Sequence, residues 1–291
     1  ERKNLKGGVS VFQNYATEPF FAFACNRLGA REFPTPVIGF DPRIQGTMLH
    51  LCLELFWKEV VTQAALKAMN PEVLDSVLFG SIEKASVQLL YKLEWRYGRR
   101  MIQLEQARLK SLLMDWMDVE KARIHPFEVI GFERRTEVNV FGVELTVTLD
   151  RIDKIEVAEE EFKAVLFDYK SGAKFTYNRL NAGKLTEPQL PIYATQVDPK
   201  ELDVDSIEGI SLAQINAKKM HIHTRSSFSA QLLGGKAEKN DVCMPIEWAE
   251  QVEAWNEALE VMATGFLGGV GWVSSFDKAL PLGYEHLEPL L

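Results

Sequence analysis

The sequence has few cysteines. Its 291 residues contain Cys25, Cys52 and Cys243, which lie far apart and form no Cys-x-x-Cys pair. This spacing argues against a disulfide framework and against a zinc ribbon, and it suits a reducing compartment. We therefore expect a cytoplasmic protein.

The sequence also lacks a long hydrophobic run. The longest uncharged stretch, residues 261–276, is interrupted by four glycines, whereas a membrane-spanning helix needs about 20 consecutive apolar residues. We expect no membrane partner. The N-terminus, Glu1-Arg2-Lys3, is polar and predicts no signal peptide. Because it has no initiator methionine, we expect the chain to be cut from a longer protein.

Positive charge is not in excess either. The formal net charge is -8 at pH 7, which ordinarily argues against nucleic acid as a partner. The argument is not decisive, because acids can gather in a metal site while bases lie on another surface. The sequence contains no phosphate-binding loop of the form GxxxxGK[ST], so we expect any helicase motor to lie elsewhere.

The periodicity of apolar residues predicts helices around a group of strands. Helical spacing occurs over residues 12–28, 44–69, 73–97, 99–122, 187–197 and 245–266. Alternating β-branched residues predict strands over 127–157, with a turn at Phe141-Gly142, and over 163–169 and 207–217; the proline-rich residues 33–42 predict a loop. This order predicts an α/β (α+β) fold with a central mixed β-sheet flanked by helices. We expect a single domain over 1–291, with a helical subdomain at 71–124.

Acidic residues follow two of the predicted strands. Asp150 lies in "VTLDRID", and Asp168 and Lys170 lie in "LFDYK". Strands joined by a short connection pair as neighbours, so these carboxylates can lie side by side. Adjacent carboxylates repel unless a cation lies between them, and their oxygens suit Mg²⁺ or Mn²⁺. A neighbouring lysine can then help deprotonate a metal-bound water or stabilise charge on a phosphate. An exposed salt bridge is the alternative interpretation of Asp168 and Lys170.

Two predicted helices carry further polar residues at four-residue steps. Gly46, His50 and Glu54 share one helix face, and Gln189 and Tyr193 share another. Taken alone, His50 is equally well explained as a core histidine, and the Gln189 helix as an ordinary amphipathic turn.

Two other patterns are weaker. His221 and His223 share a strand face, but no cysteine or acid follows at the spacing of a zinc site, so a solvated edge is the better interpretation. The basic clusters at 96–100 and 218–225 could flank a DNA path, although a charge run is usually a solvated face.

The order of the motifs resembles a known family. The sequence runs through GxxxHxxxE, an acid in "LDRID", "DYKSG" and QxxxY, and this order resembles the PD-(D/E)XK nuclease superfamily, in particular the RecB-like branch that includes AddB-type helicase–nuclease subunits. The segments "NYATEPFFAFACNRLGA", "PQLPIYA" and "GFLGGVGWV" resemble further parts of that branch. The resemblance covers most of residues 10–291 and implies a restriction-endonuclease-like core with a helical insertion.

The resemblance implies a divalent metal site. His50, Asp150 and Asp168 would bind Mg²⁺ or Mn²⁺, with the backbone carbonyl of Tyr169 as a further ligand. Lys170 would position or activate the attacking water.

The resemblance also implies roles around that site. Gln189 and Tyr193 would brace it or contact the nucleic-acid backbone. Arg151, next to a metal acid, could contact a phosphate, and a salt bridge on the strand surface is an equal alternative. Asp153, three positions from Asp150, is expected on the opposite strand face as a structural acid.

The sequence departs from the branch in its cysteines. Many relatives hold an iron–sulfur cluster with four cysteines, but Glu18 stands where the branch has its first, and the closing segment "GYEHLEPLL" has none. Because a cluster needs four such ligands, we expect no iron–sulfur cluster.

We therefore expect a metal-dependent deoxyribonuclease that hydrolyses DNA phosphodiester bonds in repair or recombination. DNA is the expected substrate, and a helicase subunit or domain is a candidate partner. The main alternative, which the missing cysteines support, is a non-catalytic DNA-binding or assembly module of a helicase–nuclease-like repair complex. A metal hydrolase acting on small phosphates is a third interpretation.

Overall fold

The computed structural model describes residues 8–32, 39–159, 161–172, 177–202, 204–228, 247–273 and 284–290. Within these residues, five strands form one mixed sheet with helices on both faces. The predicted α/β class is therefore confirmed.

Most of the described helices precede the strands, one lies between two strands and one follows them. They are α1 (Ser10–Thr17), α2 (Pro19–Ala22), α3 (Pro42–Val60), α4 (Gln63–Ala68), α5 (Pro71–Leu89), α6 (Glu94–Tyr97), α7 (Arg99–Lys121), α8 (Gln189–Gln196) and α9 (Trp248–Leu267). The strands are β1 (Phe127–Val140), β2 (Val143–Ala158), β3 (Glu161–Lys170), β4 (Ile207–Asn216) and β5 (Lys219–Ser226). Part of the predicted loop at 33–42, residues 33–38, lies outside the described residues.

The sheet has the order β1-β2-β3-β4-β5. β3 and β4 are parallel, and the other neighbouring pairs are antiparallel. The predicted turn between β1 and β2 is present: Phe141 and Gly142 have φ values of 48° and 90°, as a type I′ hairpin turn requires. The side chain of Asn139 accepts a hydrogen bond of 2.7 Å from the Gly142 N–H.

Three predicted helices are broken in the structure. The helix predicted over 44–69 ends at Val60, because Val61 leaves the helix at φ 63° and its carbonyl accepts a hydrogen bond from the Val129 N–H. The helix predicted over 12–28 is interrupted at the extended residue Glu18 before Pro19. The helix predicted over 73–97 ends at Leu89 and is followed by a short 3₁₀ turn and α6.

The sheet separates two hydrophobic cores. One face packs against α3, α5 and α7; its core includes Trp57, Leu78, Leu113, Phe167 and Tyr169. The other face packs against α1, α8 and α9; its core includes Phe12, Leu166, Tyr193, Leu212 and Trp255. Helices α5 and α7, from the predicted subdomain at 71–124, thus share their core with α3 and the sheet.

β2 changes the core that it faces at Asp150. Val147 and Leu149 pack in the core beside α9, whereas Arg151 and Asp153 lie on the side of α3. Opposite Asp150 on β1, Glu133 has a φ of 40°. Because a positive φ departs from strand geometry, the side chains that follow this point face the opposite core from those expected in a regular strand. Asp150 consequently lies at the seam between the two cores.

None of the described helices combines the length and the apolar character that crossing a bilayer requires.

Candidate active site

Asp150 and Asp168 lie opposite each other on β2 and β3. Arg151 pairs with Phe167 in the ladder, so the next position along places Asp150 across from Asp168. Both carboxylates are buried, with 7% and 2% exposure. The backbone N–H of Tyr169 donates a hydrogen bond of 2.7 Å to Asp150 Oδ2. The paired strands thus hold two acids together inside the protein, as the sequence predicted.

The cluster holds an excess of negative charge. Burial raises the pKa of Asp168 to about 6; the ammonium of Lys170 opposes this shift, and the charge of Asp150 adds to it. Burial, reinforced by the charge of Asp150, also raises the pKa of Glu133 above its usual value. Raised carboxyl pKa values indicate a place where a positive charge is stabilising.

His50 reaches this cluster from α3. Its Nδ1 lies 3.4 Å from Asp150 Oδ1 and 3.9 Å from Glu133 Oε1, and its Nε2 lies 3.0 Å from the carbonyl oxygen of Tyr169. Burial lowers the pKa of His50, but the hydrogen bond with Asp150 and the charges of Asp150, Asp168 and Glu133 outweigh this and raise it to about 9. The predicted histidine therefore faces the predicted acids.

Glu133 is a member of the cluster that the sequence analysis missed. Ligand atoms of His50, Glu133 and Asp150 all lie within 4.8 Å of one another. Asp168 lies beside this group, and its Oδ2 is 2.9 Å from the ammonium of Lys170. The signal for Glu133 was the hairpin turn, where Val140 pairs with Val143. Glu133 lies as far before Val140 as Asp150 lies after Val143, so Glu133 and Asp150 face each other across the hairpin.

The donor set fits a hard divalent cation. Carboxylate and carbonyl oxygens are the ligands that Mg²⁺ and Mn²⁺ prefer, and Asp150 and Glu133 supply carboxylates beside the imidazole of His50. The carbonyl of Tyr169, the fourth predicted ligand, contacts His50 Nε2. Its role as a metal ligand stays a prediction.

Lys170 belongs to a chain of ion pairs that leads outward from Asp168. Its Nζ lies 3.8 Å from Glu187 Oε2, and Glu187 Oε1 is 2.9 Å from a guanidinium nitrogen of Arg179. Burial lowers the pKa of Lys170, but the charges of Asp168 and Glu187 prevail and raise it well above its usual range. Lys170 is therefore a charged hydrogen-bond donor. Glu187 and Arg179 were not predicted.

Gln189 and Tyr193 connect α8 to the β1–β2 hairpin. Gln189 Nε2 donates a hydrogen bond of 3.1 Å to the Thr148 carbonyl, and the Tyr193 hydroxyl donates one of 3.3 Å to the Arg134 carbonyl. Tyr193 has 0% exposure. Of the two roles predicted for Tyr193, bracing the site matches this placement, and contact with nucleic acid does not.

The side chain of Arg151 does not face Asp150 and Asp168. Its side chain is 1% exposed; Nη1 donates to Glu120 Oε1 at 2.7 Å, and Nη2 donates to Asp153 Oδ2 at 2.8 Å. The guanidinium also lies 4.3 Å from the ring centroid of Trp57. A buried and fully bound guanidinium offers nothing to a phosphate, so the predicted phosphate contact of Arg151 is corrected to a buried ion pair. Asp153 has 0% exposure and lies on the Arg151 side.

The histidine pair of β5 is one of the weaker sequence patterns. His223 is 2% exposed, so the predicted solvated edge is wrong for this residue. His221 and His223 are neighbours on β5, with ring centroids 4.6 Å apart, and Gln214 contacts His223 at 3.4 Å. Cys25 and Cys52 are free thiols, and Cys243 lies outside the described residues.

Comparison with known proteins gives a family. The model of the PD-(D/E)XK nuclease superfamily matches residues 8–269. No curated protein matches the chain. Among the solved structures that match is one entitled "Crystal structure of SSO0001", with 12% sequence identity and a TM-score of 0.25. The match covers 93% of this chain and 91% of the other chain. That score is too low to carry an argument.

Proposed function

The chain belongs to the PD-(D/E)XK nuclease superfamily, and on this basis we propose that it is a metal-dependent deoxyribonuclease that hydrolyses phosphodiester bonds in DNA. The observation that carries the proposal is the cluster of half-buried His50 and Glu133 around the buried carboxylates of Asp150 and Asp168, with Lys170 beside Asp168. A buried surplus of carboxylates is costly unless a cation offsets it.

Two acids and one histidine are the proposed core of the metal site. His50, Asp150 and Asp168 would hold Mg²⁺ or Mn²⁺, Glu133 would add a carboxylate, and the carbonyl of Tyr169 is a further candidate ligand. When bound, the cation supplies charge stabilisation at a phosphoryl oxygen and lowers the pKa of water.

Lys170 is proposed to act on the reacting phosphate. Its charged ammonium, 2.9 Å from Asp168 Oδ2, can donate hydrogen bonds to the attacking water and to a phosphoryl oxygen. A donor fixed in advance stabilises the negative charge that develops in the transition state. The raised pKa favours this role over removal of a proton by Lys170.

Glu187 is proposed to position Lys170, and Arg179 to contact the DNA backbone. Glu187 lies between the two cations, 3.8 Å from Lys170 and 2.9 Å from Arg179. Arg179 is 44% exposed, so its guanidinium can also reach a phosphate. Gln189 is proposed to brace the β1–β2 hairpin and, like Arg179, to contact the DNA backbone.

The biological setting is also a proposal. The order of the motifs supports a place in the RecB-like branch, a role in DNA repair or recombination and a helicase partner. The few, widely spaced cysteines support a cytoplasmic location. The replacement of the branch's first cysteine by Glu18 supports a form without an iron–sulfur cluster.

The test is cleavage of end-labelled single-stranded and double-stranded DNA with Mg²⁺ or Mn²⁺. We expect metal-dependent release of labelled fragments, and the sizes of these fragments distinguish cleavage from an end from internal cleavage. Folded protein that releases no fragment with either metal contradicts the proposal.

A second candidate is a non-catalytic DNA-binding or assembly module. The departure from the branch's cysteine pattern favours it, because it shows that this copy has diverged. Calorimetric titration with Mn²⁺ separates the candidates: the nuclease predicts binding that Asp150→Ala weakens. Absence of binding, or binding that Asp150→Ala leaves unchanged, favours the module.

A further inference from the structure

An exposed surface rich in aromatic and basic residues lies between α5 and α7. Trp95 has 83% of its surface exposed and Tyr91 has 37%. Four basic residues accompany one acid, Glu94, within residues 91–100; they are Lys92, Arg96, Arg99 and Arg100. In a chain of net charge -8, this segment, which we call the 91–100 surface, is a local concentration of positive charge.

The basic side chains of this surface are available to a ligand. Arg99 contacts Glu94 at 3.3 Å, with side-chain exposures of 72% and 37%. An exposed ion pair of this kind contributes only about 0–1 kcal/mol, so a phosphate can readily replace Glu94. Arg96 lies over the ring of Tyr97, 5.4 Å from its centroid, and is also exposed.

A pocket adjoins Tyr91, one of the two exposed aromatic residues. It has a volume of about 460 Å³ and is lined by Glu83, Lys84, Val87, Gln88 and Tyr91. Val87 is 57% exposed. The pocket and Trp95 therefore present flat or apolar surface next to positive charge, which is the combination that proteins use to bind unpaired nucleic-acid bases.

The 91–100 surface is held near the N-terminal end of α3, which leads to His50. Tyr97 packs against Phe40, just before α3, with ring centroids 4.3 Å apart. Gln45 of α3 donates a hydrogen bond of 3.0 Å to Glu105 of α7. The rise from Pro42 to His50 is about 12 Å along the helix.

Exposed residues of α3 lie between this surface and the site. Arg43 and Thr47 are exposed on α3 between Phe40 and His50. A strand bound at residues 91–100 can therefore run along α3 towards the acids.

We propose that the 91–100 surface binds a single-stranded segment of the DNA substrate, with a base stacked on Trp95 and phosphates bound by Arg96, Arg99 and Arg100. This inference rests on the proposed function, because DNA is the proposed substrate. It adds a binding surface away from the metal ligands and a preference for unpaired DNA.

The first test measures binding of a fluorescent oligodeoxythymidine in EDTA, where no cleavage is needed. Removal of one stacking residue weakens single-strand binding by roughly 5- to 150-fold. We expect this loss for Trp95→Ala and recovery of most of the affinity in Trp95→Phe. The matched control is Trp272→Ala, which removes another tryptophan that is 60% exposed and is expected to bind like the wild type.

The second test measures the dependence of binding on salt. Each lost phosphate contact lowers the slope of log K against log salt by about 0.7 for a single strand. Combined Arg96→Gln, Arg99→Gln and Arg100→Gln should therefore lower the slope by about 2. Combined Arg31→Gln, Lys67→Gln and Lys200→Gln changes the net charge equally at exposed positions elsewhere and should leave the slope nearly unchanged.

Three outcomes overturn the inference. The first is that the wild-type protein does not bind the oligonucleotide. The second is that Trp95→Ala binds it with wild-type affinity. The third is that Trp95→Ala weakens binding to blunt duplex DNA, which offers no unpaired base, as much as it weakens binding to the oligonucleotide. The last two would indicate that a protein partner or a duplex occupies this surface. Cleavage assays on the same samples keep the proposals apart, because wild-type cleavage with unaltered binding by Trp95→Ala contradicts only this inference.

Discussion

At the scale of single residues, the site is a cluster whose members differ in how visible they are in the sequence. Asp168 and Lys170 share a strand face because they are two positions apart, and the short connection between β2 and β3 brings Asp150 beside them. Glu133 could have been found by counting from the Phe141-Gly142 turn. Glu187 could not, because a coil segment places it beside Lys170.

Glu133 is predicted to strengthen metal binding. Glu133→Gln keeps the shape of the side chain but removes a charge within 4.8 Å of His50 and Asp150. We expect the Mn²⁺ concentration that gives half-maximal cleavage to rise by at least about tenfold. Glu137→Gln, on the same strand but exposed, serves as the control. Equal Mn²⁺ requirements in the two variants would exclude Glu133 from the site.

Lys170 is predicted to contribute to the chemical step. Lys170→Ala removes the ammonium beside Asp168, and loss of one such donor lowers kcat by about 10²–10³-fold. Single-turnover cleavage at saturating DNA and metal measures this step. Lys163→Ala, which removes another lysine of β3 that pairs with Glu161, should react at nearly the wild-type rate. A Lys170→Ala rate within a few-fold of the control would refute the role.

At the scale of elements, the β1–β2 hairpin and its buried charges hold the acids in register. Alternation and the turn residues predicted both strands, because these signals are local. The environment of Arg151 was mispredicted, since its partner Glu120 lies on α7, far away in the sequence. A sequence shows that an arginine follows a metal acid, but not which helix covers it.

A buried network of ion pairs is predicted to be essential for stability; it consists of Glu120, Arg123, Arg151 and Asp153. Asp153→Ala leaves Arg151 and Arg123 with one carboxylate partner fewer at full burial, and breaking a buried pair costs about 3–5 kcal/mol. Urea denaturation measures the loss. Glu161→Ala, which removes an exposed partner of Lys163, should cost less than about 1 kcal/mol. Similar costs for the two variants would contradict the assigned role of the network.

Gly209 is predicted to be required in β4. A Cβ at this position would lie 2.7 Å from Ser226 Cβ and 3.1 Å from the Arg225 carbonyl, and overpacking of this kind costs about 1–3 kcal/mol. The midpoint of urea unfolding should fall in Gly209→Ala. It should rise or stay level in Gly80→Ala, where nothing lies within 4 Å and helix propensity improves. A Gly209→Ala midpoint at or above the wild-type value would contradict the close packing.

At the scale of the whole molecule, the site lies at the seam between two cores. His50 comes from a helix of one core, whereas Gln189 and Tyr193 come from a helix of the other. The order of these motifs in the sequence indicated that their residues come together, and the pattern of helices and strands predicted the α/β class. The sequence did not predict the break at Val61, because the carbonyl of Val61 pairs with Val129, far along the chain. The break at Glu18 has a local signal, since the residue before a proline disfavours helical geometry.

The most direct test of the central claim compares DNA cleavage by Asp168→Asn and by the wild type, purified identically. Asp198→Asn, a matched change at an exposed position, controls for the substitution and for contaminating nucleases. We predict that Asp168→Asn lowers Mn²⁺-dependent cleavage by at least about a hundredfold without lowering its thermal stability, while Asp198→Asn cleaves like the wild type. Equal cleavage by Asp168→Asn and the wild type would contradict the assignment of this cluster as the active site.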